Sequence, residues 1–343
     1  MISRDHDPQV PVQGGEGQGS LLVWSPSRLP AWLRSERSRA VRQPAHAAPG
    51  LVSVVMPCLD AADSIRDQLD ALAGQTYRGP WEVVVADNGS KDRTRQVVLS
   101  HTLPGASLRL VDASGRRGVS YARNSGVEAA QGNLIVFVDA DDLVSMDWLD
   151  EMVQASRSAD VVVGLTVNQR STRRLRTPDP APRMPQRYGA PFITSCNMAV
   201  WRDVHDAIGG FDEAFMRAQD VDYSIRAHLL GVWVCFAPRA VVWRRPRSDV
   251  RSTFRQFYDY GRFDIMLEDR YGPVGMPRRT GTLTAKKWLY WTARTPVAAV
   301  SKRHREDWAR NIGKESGRAV TRLTQRLRGP VVEPSSSRPT SPR

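Results

Sequence analysis

Five-residue apolar runs alternate with amphipathic stretches through the middle of the chain. Val52–Met56, Glu82–Ala86, Leu134–Val138 and Val161–Leu165 are short and almost unbroken in hydrophobicity, and Leu108–Asp112 reads as a further strand with two charged residues. Such runs fit strands covered on both faces, because a half-exposed strand alternates polar and apolar residues. Helical spacing lies between them. Ile65, Leu69 and Leu72 share one helix face, with Asp63 placed to cap it. Asp92 is placed to cap a second helix, and Gly118–Gln131 reads as a third, stopped by Gly132. Asp87-Asn88-Gly89-Ser90 has the composition of a turn. Strands spaced by helices predict an α/β protein with a mostly parallel sheet.

The pattern fades at both ends and breaks once inside. Residues 1–49 are rich in Gly, Pro, Gln, Ser and Arg and lack periodicity, which predicts no fixed structure. Only Trp24–Leu33 has enough apolar character to dock. Residues 168–190 form a long Arg- and Pro-rich loop, of the kind that covers a site or stays unstructured. Residues 192–245 return to a mixed pattern, and from Ser252 the chain reads as helix. The expected division is a disordered segment 1–49, an α/β domain 50–250, a helical extension 251–328 and a disordered tail 329–343.

Composition narrows the setting. The chain has 343 residues, 41% of them hydrophobic, enough for a real core. Cys58, Cys196 and Cys235 form no CxxC pair, which argues against a zinc cluster or a disulfide framework and suits a reducing, cytoplasmic compartment. No signal-peptide h-region is visible in the first 50 residues, and no apolar run nears the roughly 18 residues that span a bilayer. The net charge is +13, and residues 278–343 hold 16 Lys and Arg against 4 Asp and Glu. That stretch therefore carries +12, leaving about +1 on residues 1–277. Lys286-Lys287-Trp288-Leu289-Tyr290-Trp291 joins basic and aromatic residues, and Trp308, Ile312, Ala319, Leu323 and Leu327 can share a helix face. A basic amphipathic segment of this kind can lie on an anionic membrane. It carries no nucleic-acid reading motif, so no nucleic-acid partner is expected.

The sharpest chemical signal is Asp139-Ala140-Asp141-Asp142, directly after Leu134–Val138. If the segment stays extended, Asp139 and Asp141 face one ligand together. Two carboxylates so close repel unless a cation lies between them. Mg²⁺ and Mn²⁺ take oxygen ligands and bridge to phosphates. Open α/β sheets bind ligands at the carboxyl ends of their strands, which is where this segment falls.

Four segments in order carry a family resemblance: VSVVMPCLDAAD (52–63), EVVVADNGSKDRT (82–94), GVSYARNSGVEAAQGNLIVFVDADD (118–142), and TSCNMAVWRDVHDAIGGFDEAF with AQDVDYSIRAHLLG (194–231). Together they resemble the family 2 glycosyltransferases, over roughly residues 51–262. The resemblance implies a GT-A fold, a Rossmann-like mixed sheet covered by helices. It also implies inverting transfer of a sugar from a nucleotide-diphosphate donor to an acceptor hydroxyl. On the donor side it implies roles for Pro57, Asp60 and Asp63 after the first strand, for Asp87 at the base, and for Arg123 and Asn124 near the phosphates. Asp139 and Asp141 match its metal-binding DxD, with Mg²⁺ or Mn²⁺ as cofactor, and Asp220 matches its general base. The acceptor side falls to Asn197, Trp201 and Gln219. A glycan, a lipid-linked molecule or a small molecule fits as acceptor, in polysaccharide, glycolipid or cell-envelope synthesis at the cytoplasmic face.

Asp220 also suits a base on its own chemistry. It opens an amphipathic helix bearing Val221, Ile225, Ala227 and Leu229, where the helix dipole favours the carboxylate. Its neighbour Asp222 is expected to point outward or to pair with an arginine. Three departures from the family pattern matter. Gln219 stands where the family usually has Glu. Arg244 stands where a metal-ligating His is common, and it can contact diphosphate but not metal. Asp259 and Tyr260 replace the Arg and Trp of the processive QxxRW motif, which implies one sugar per encounter. Two rival readings remain: a nucleotidyltransferase of similar fold, and a catalytically degenerate nucleotide-sugar binder.

Overall fold

The computed structural model describes residues 10–11, 22–24, 29–34, 44–169, 182–245, 250–278, 281–296 and 301–328. The sequence assignments for 1–9, 12–21, 170–181 and 329–343 lie outside the described residues. The chain divides into two compact units, Met1–Pro246 and Arg247–Arg343.

In the first unit the strands are β1 (Val10–Pro11), β2 (Leu22–Trp24), β3 (Val52–Cys58), β4 (Trp81–Asp87), β5 (Ser107–Asp112), β6 (Leu134–Val138), β7 (Asp142–Val144), β8 (Val161–Asn168), β9 (Gln186–Arg187), β10 (Ala190–Pro191), β11 (Asn197–Trp201) and β12 (Val234–Arg244). Its helices are α1 (Ile65–Ala73), α2 (Thr94–Leu99), α3 (Val119–Ala129), α4 (Trp148–Ser156), α5 (Arg202–Ile208) and α6 (Gln219–Leu229). One sheet runs β1-β2-β12-β8-β11-β6-β3-β4-β5, with β7 also paired to β12, and β9 and β10 form a separate hairpin.

The half β6-β3-β4-β5 is parallel throughout. The chain moves outward from β3 to β4 to β5, then returns through α3 to β6 on the other side of β3. Strand order therefore reverses between β3 and β6, and open sheets bind ligands in the crevice at such a switch point. Pairing between β3 and β6 stops at Val55–Phe137, although β3 continues to Cys58 and β6 to Val138. β11 then enters antiparallel to β6, putting Asn197 beside Val138 and Trp201 beside Leu134.

Both faces of the sheet are covered, as the unbroken apolar runs require. Val52, Val54 and Met56 face one core with Leu69, Trp148 and Met152. Val55, Val84 and Phe137 face the other with Phe211 and Tyr223. The alternation follows the two-residue period of a strand. From the amino-terminal region, β2 pairs with β12 (Trp24 opposite Val234), and Leu29 and Leu33 are buried.

Several local signals resolve differently from expectation. Ser64, not Asp63, occupies the cap position of α1, and Asp63 is exposed. Arg93 caps α2 by position, while Asp92 accepts the Thr94 N–H at 2.9 Å and the Ala62 N–H at 2.9 Å, tying the two loops together. Helix α3 ends at Ala129, before Gly132. Gly132 is needed for close approach instead: a Cβ there would meet the Leu51 carbonyl at 2.5 Å.

The second unit contains α7 (Val250–Tyr271), α8 (Gly281–Ala293) and α9 (Lys302–Arg328). Helices α7 and α9 pack in parallel, as Gly313 meets Phe254 and Gly317 meets Tyr258. Glycine permits this contact, because a Cβ on Gly317 would overlap the Tyr258 carbonyl at 1.9 Å. A buried ionic network closes the interface. Arg318 pairs with Asp264 at 3.0 Å and with Glu268, Lys314 reaches Asp264 at 2.9 Å, and Arg322 reaches Glu268 at 2.9 Å. The single face expected for α9 splits: Ile312 is buried, whereas Ala319, Leu323 and Leu327 are exposed.

Candidate active site

At the switch point the chain does not stay extended after β6. Ala140 and Asp141 form a turn, and Asp142 opens β7 on the way back. The premise that residues 139 and 141 share a direction therefore fails. Asp141 is exposed at the rim, and Asp142 turns inward to join Asp139. Asp139, Asp142 and Cys196 bring one ligand atom each within 4.8 Å of one another. Asp142 is 1% exposed, and neither of its carboxylate oxygens has a hydrogen-bond partner in good geometry. Burial first, and then the adjacent Asp139, push its carboxyl up to about 8.

A buried carboxylate whose arginine partner reaches it only at 4.0 Å, next to a second carboxylate, is a fitting seat for a hard divalent cation, whose charge would satisfy both. Cys196 fits less well. Burial pushes its thiol up to about 12, so it stays neutral and soft. Asp139 and Asp142 are therefore the residues that suit Mg²⁺ or Mn²⁺, with Asp141 close at the rim.

Two guanidinium groups, Arg123 and Arg244, contact this acidic pair, and a third, Arg187, lies near Asp220. Arg123, on α3 and 2% exposed, donates from Nη2 to Asp139 Oδ1 at 2.7 Å and lies 5.3 Å from the Phe211 ring centroid. Its Nε and Nη1 have no hydrogen-bond partner. Arg244 sits opposite Asp142 in the β7–β12 register, with Nε 4.0 Å from Asp142 Oδ2 and Nη2 2.9 Å from Cys196 Sγ. Arg187 projects from the β9–β10 hairpin, inside the stretch read from sequence as an unpatterned loop. Its guanidinium lies 5.5 Å from the Tyr188 ring and 5.9 Å from the Phe192 ring. Tyr188 and Gly189, with φ of 55° and 77°, make the tight turn between the two strands.

Asp220 stands in the first turn of α6, after Ala218 in the left-handed region (φ 59°). Its surface is only partly covered, yet enough protein packs around the carboxyl to raise its pKa. Arg187, Arg123 and Arg244, in that order, pull the pKa back down. Three cations from three elements thus share one electrostatic neighbourhood with Asp220. Gln219, partly exposed, precedes it. Asp222 is fully buried and paired with Arg226 at 2.7 Å; the outward-facing alternative does not hold.

A cleft of about 440 Å³ opens at the carboxyl ends of β3, β4 and β5. Leu59, Asp60, Asn88, Gly89, Lys91, Ser114 and Arg117 line it. Asp60, at φ 49°, accepts the Lys91 N–H at 2.7 Å and gives its own N–H to Ser90 Oγ at 2.9 Å. Pro57 is buried inside β3 opposite Ala86. Asp87 is fully buried behind the cleft: Oδ1 accepts the Ser90 N–H at 3.0 Å and Oδ2 pairs with Arg95 at 3.0 Å. It shapes the turn and does not line the cleft.

Three other expected residues act as scaffold. Asn124 Nδ2 donates to the Phe211 carbonyl at 2.8 Å, and its Oδ1 accepts the Phe211 N–H at 3.0 Å, pinning α3 to the loop before α6. Asn197 is fully buried; its Oδ1 accepts the Trp148 indole N–H at 2.8 Å, and Nδ2 donates to Leu165 at 3.0 Å and Ala240 at 3.1 Å. Every polar atom of that amide is spent inside the core, which leaves none for an acceptor. Trp201 lies at the far end of β11, roughly 13 Å along the strand from Asn197. Its indole donates to the Ser156 carbonyl at 3.0 Å, and its ring stacks on His46.

Comparisons with known proteins bear on the family and the fold. The family description "Glycosyl transferase family 2" matches residues 53–211. Glycosyltransferase AglE of Haloferax volcanii is 28% identical over 229 residues, covering 64% of this chain and 75% of the relative. WfgD of Escherichia coli, a UDP-Glc:α-D-GlcNAc-diphosphoundecaprenol β-1,3-glucosyltransferase, is 34% identical over 93 residues, 27% of this chain and 36% of the relative. Among solved structures, the mannosyltransferase PcManGT from Pyrobaculum calidifontis, in complex with GDP-Man and Mn²⁺, superposes with a TM-score of 0.55 at 18% identity, covering 86% of this chain and 94% of that one. The fold is therefore that of the GT-A glycosyltransferases, and residues 53–211 match glycosyltransferase family 2.

Proposed function

We propose that this enzyme moves one sugar per encounter from a nucleotide-diphosphate sugar to an acceptor hydroxyl, with inversion at the anomeric carbon and Asp220 as the general base. The observation that carries this reading is Asp220 at the head of α6, sharing its surroundings with Arg123, Arg187 and Arg244. In a single displacement the acceptor oxygen forms the bond to the anomeric carbon. The bond from that carbon to the diphosphate oxygen breaks, and the acceptor proton passes to the Asp220 carboxylate. The nucleoside diphosphate leaves with the bonding electrons.

The remaining residues follow from this chemistry. The 440 Å³ cleft suits the nucleoside, with Asp60 and Lys91 at its edge. Arg244 and Arg187 suit the diphosphate, since a guanidinium binds phosphate oxygens in pairs. A Mg²⁺ or Mn²⁺ held by Asp139 and Asp142, with Asp141 at the rim, would add Lewis-acid neutralisation of the leaving diphosphate. Burial raises the Asp220 pKa, which strengthens it as a base, while the three arginines pull the pKa back down. Gln219 suits the acceptor side. A lipid-linked acceptor in envelope-glycan synthesis is favoured by the likeness to WfgD, whose name specifies a diphosphoundecaprenol acceptor.

The test is a panel of nucleotide sugars incubated with candidate acceptors and Mn²⁺, with anomeric configuration read by NMR. Transfer with an inverted linkage is expected. Retention of configuration, or nucleotidyl transfer instead of glycosyl transfer, would overturn the reading.

A further inference from the structure

The positive charge of this chain is concentrated toward the carboxyl end of the sequence, in residues 278–343. Between Tyr271 and Glu306 the sequence has no Asp or Glu at all. Within that stretch α8 presents Lys286, Leu289, Tyr290, Ala293 and Arg294 to solvent. Their spacing of three and four places them on one helix face. Leu289 is 74% exposed and Tyr290 51%, while Lys287, Trp288 and Trp291 on the other side are partly covered. Arg294 lies over the Tyr290 ring at 4.6 Å from its centroid, which holds a cation directly beside the apolar face. A second ridge runs along α9, where Val320, Leu323 and Leu327 recur at the same spacing beside exposed Arg326. Leu323 is 58% exposed and Leu327 78%.

A helix that packs only against its own protein hides its leucines and exposes its charges. Here leucine, tyrosine and cations are exposed together. An acidic protein surface would satisfy the cations and leave the leucines in water. An anionic bilayer satisfies both, with phosphates for the cations and the acyl boundary for the apolar side chains. Tyrosine is also favoured at that depth. Among the described residues no helix is long and apolar enough to cross a membrane, so contact of this kind lies along the surface. We propose that the C-terminal unit is a docking surface for an anionic lipid bilayer, with the exposed faces of α8 and α9 seated in the headgroup layer.

The experiment uses the full chain in co-sedimentation with vesicles of phosphatidylglycerol and phosphatidylcholine, against vesicles of phosphatidylcholine alone. Binding to the anionic vesicles, weakened by high salt, is the expected result. Two variants, Leu289→Glu with Tyr290→Glu, and Leu323→Glu with Leu327→Glu, alter only exposed side chains, and a thermal melt checks that they fold. At least one should bind anionic vesicles about tenfold or more weakly, since each changes two apolar anchors into anions. No binding by the unaltered chain, or equal binding by both variants, would overturn the proposal. So would a dimer in analytical ultracentrifugation that the same substitutions split, because the ridges would then belong to a second copy.

Discussion

At the scale of single residues, the acidic segment shows what spacing can and cannot reveal. The acidic run was legible as a candidate cation site because apolar residues lead straight into it. Which of its carboxylates point inward was not legible, because the strand rule applies only while the chain stays extended, and a turn at Ala140–Asp141 reverses it. Asp142 is the residue that spacing missed, although it sits in the same four-residue run. Asp142→Asn should abolish the rise in Tm that Mn²⁺ produces, whereas Asp141→Asn should only reduce it. Thermal shift with and without Mn²⁺ decides, and equal loss in both variants would return Asp141 to the inner shell. Asn124 and Asn197 carry a similar lesson: the residue types suggest ligand contacts, but their amides are consumed inside the fold. Asn124→Ala should cost about 2 kcal/mol in urea unfolding, because it removes three bonds between α3 and the loop that holds Phe211 and Glu213.

At the scale of elements, the buried strands were legible because an unbroken apolar run has few alternatives in an α/β pattern. The β9–β10 hairpin was not, because each strand has two residues and its turn forces Tyr188 into a conformation that tyrosine rarely adopts. Arg187 was lost with it. Helix α6 carries both the proposed base and a determinant of stability. Asp220 opens it, and His228 near its end is buried with Nε2 at 2.7 Å from the Pro191 carbonyl. Burial holds this histidine neutral and lowers its pKa from 6.5 to about 4. Between those two values the unfolded chain binds a proton that the folded chain refuses, so stability falls as pH drops. The loss from this group should be about 2 kcal/mol between pH 7 and pH 5. Urea titrations of the parent and of His228→Gln should show a flatter acid limb in the variant; parallel curves would contradict this. The α7–α9 contact depends on glycine in the same local sense. Gly317→Ala should destabilise the C-terminal unit by about 2 kcal/mol or more, because its Cβ meets a backbone carbonyl that cannot rotate away.

At the scale of the whole molecule, charge and chemistry are divided between two compact units. The first gathers cations and carboxylates around a sheet switch point, and the second carries nearly all of the net charge. The concentration of charge toward the carboxyl end was legible from composition, and the order of five buried strands from hydrophobic patterning. Side-chain direction at the site was not, since it depends on turns and on antiparallel β11 entering a largely parallel region. The central claim is that Asp220 removes the acceptor proton while the arginines and the acidic pair hold the donor. It is tested most directly by kcat of Asp220→Asn together with its donor Kd. The account predicts a loss in kcat of ~10²-fold or more with donor binding within a few-fold of the parent. Near-normal turnover in that variant would contradict it.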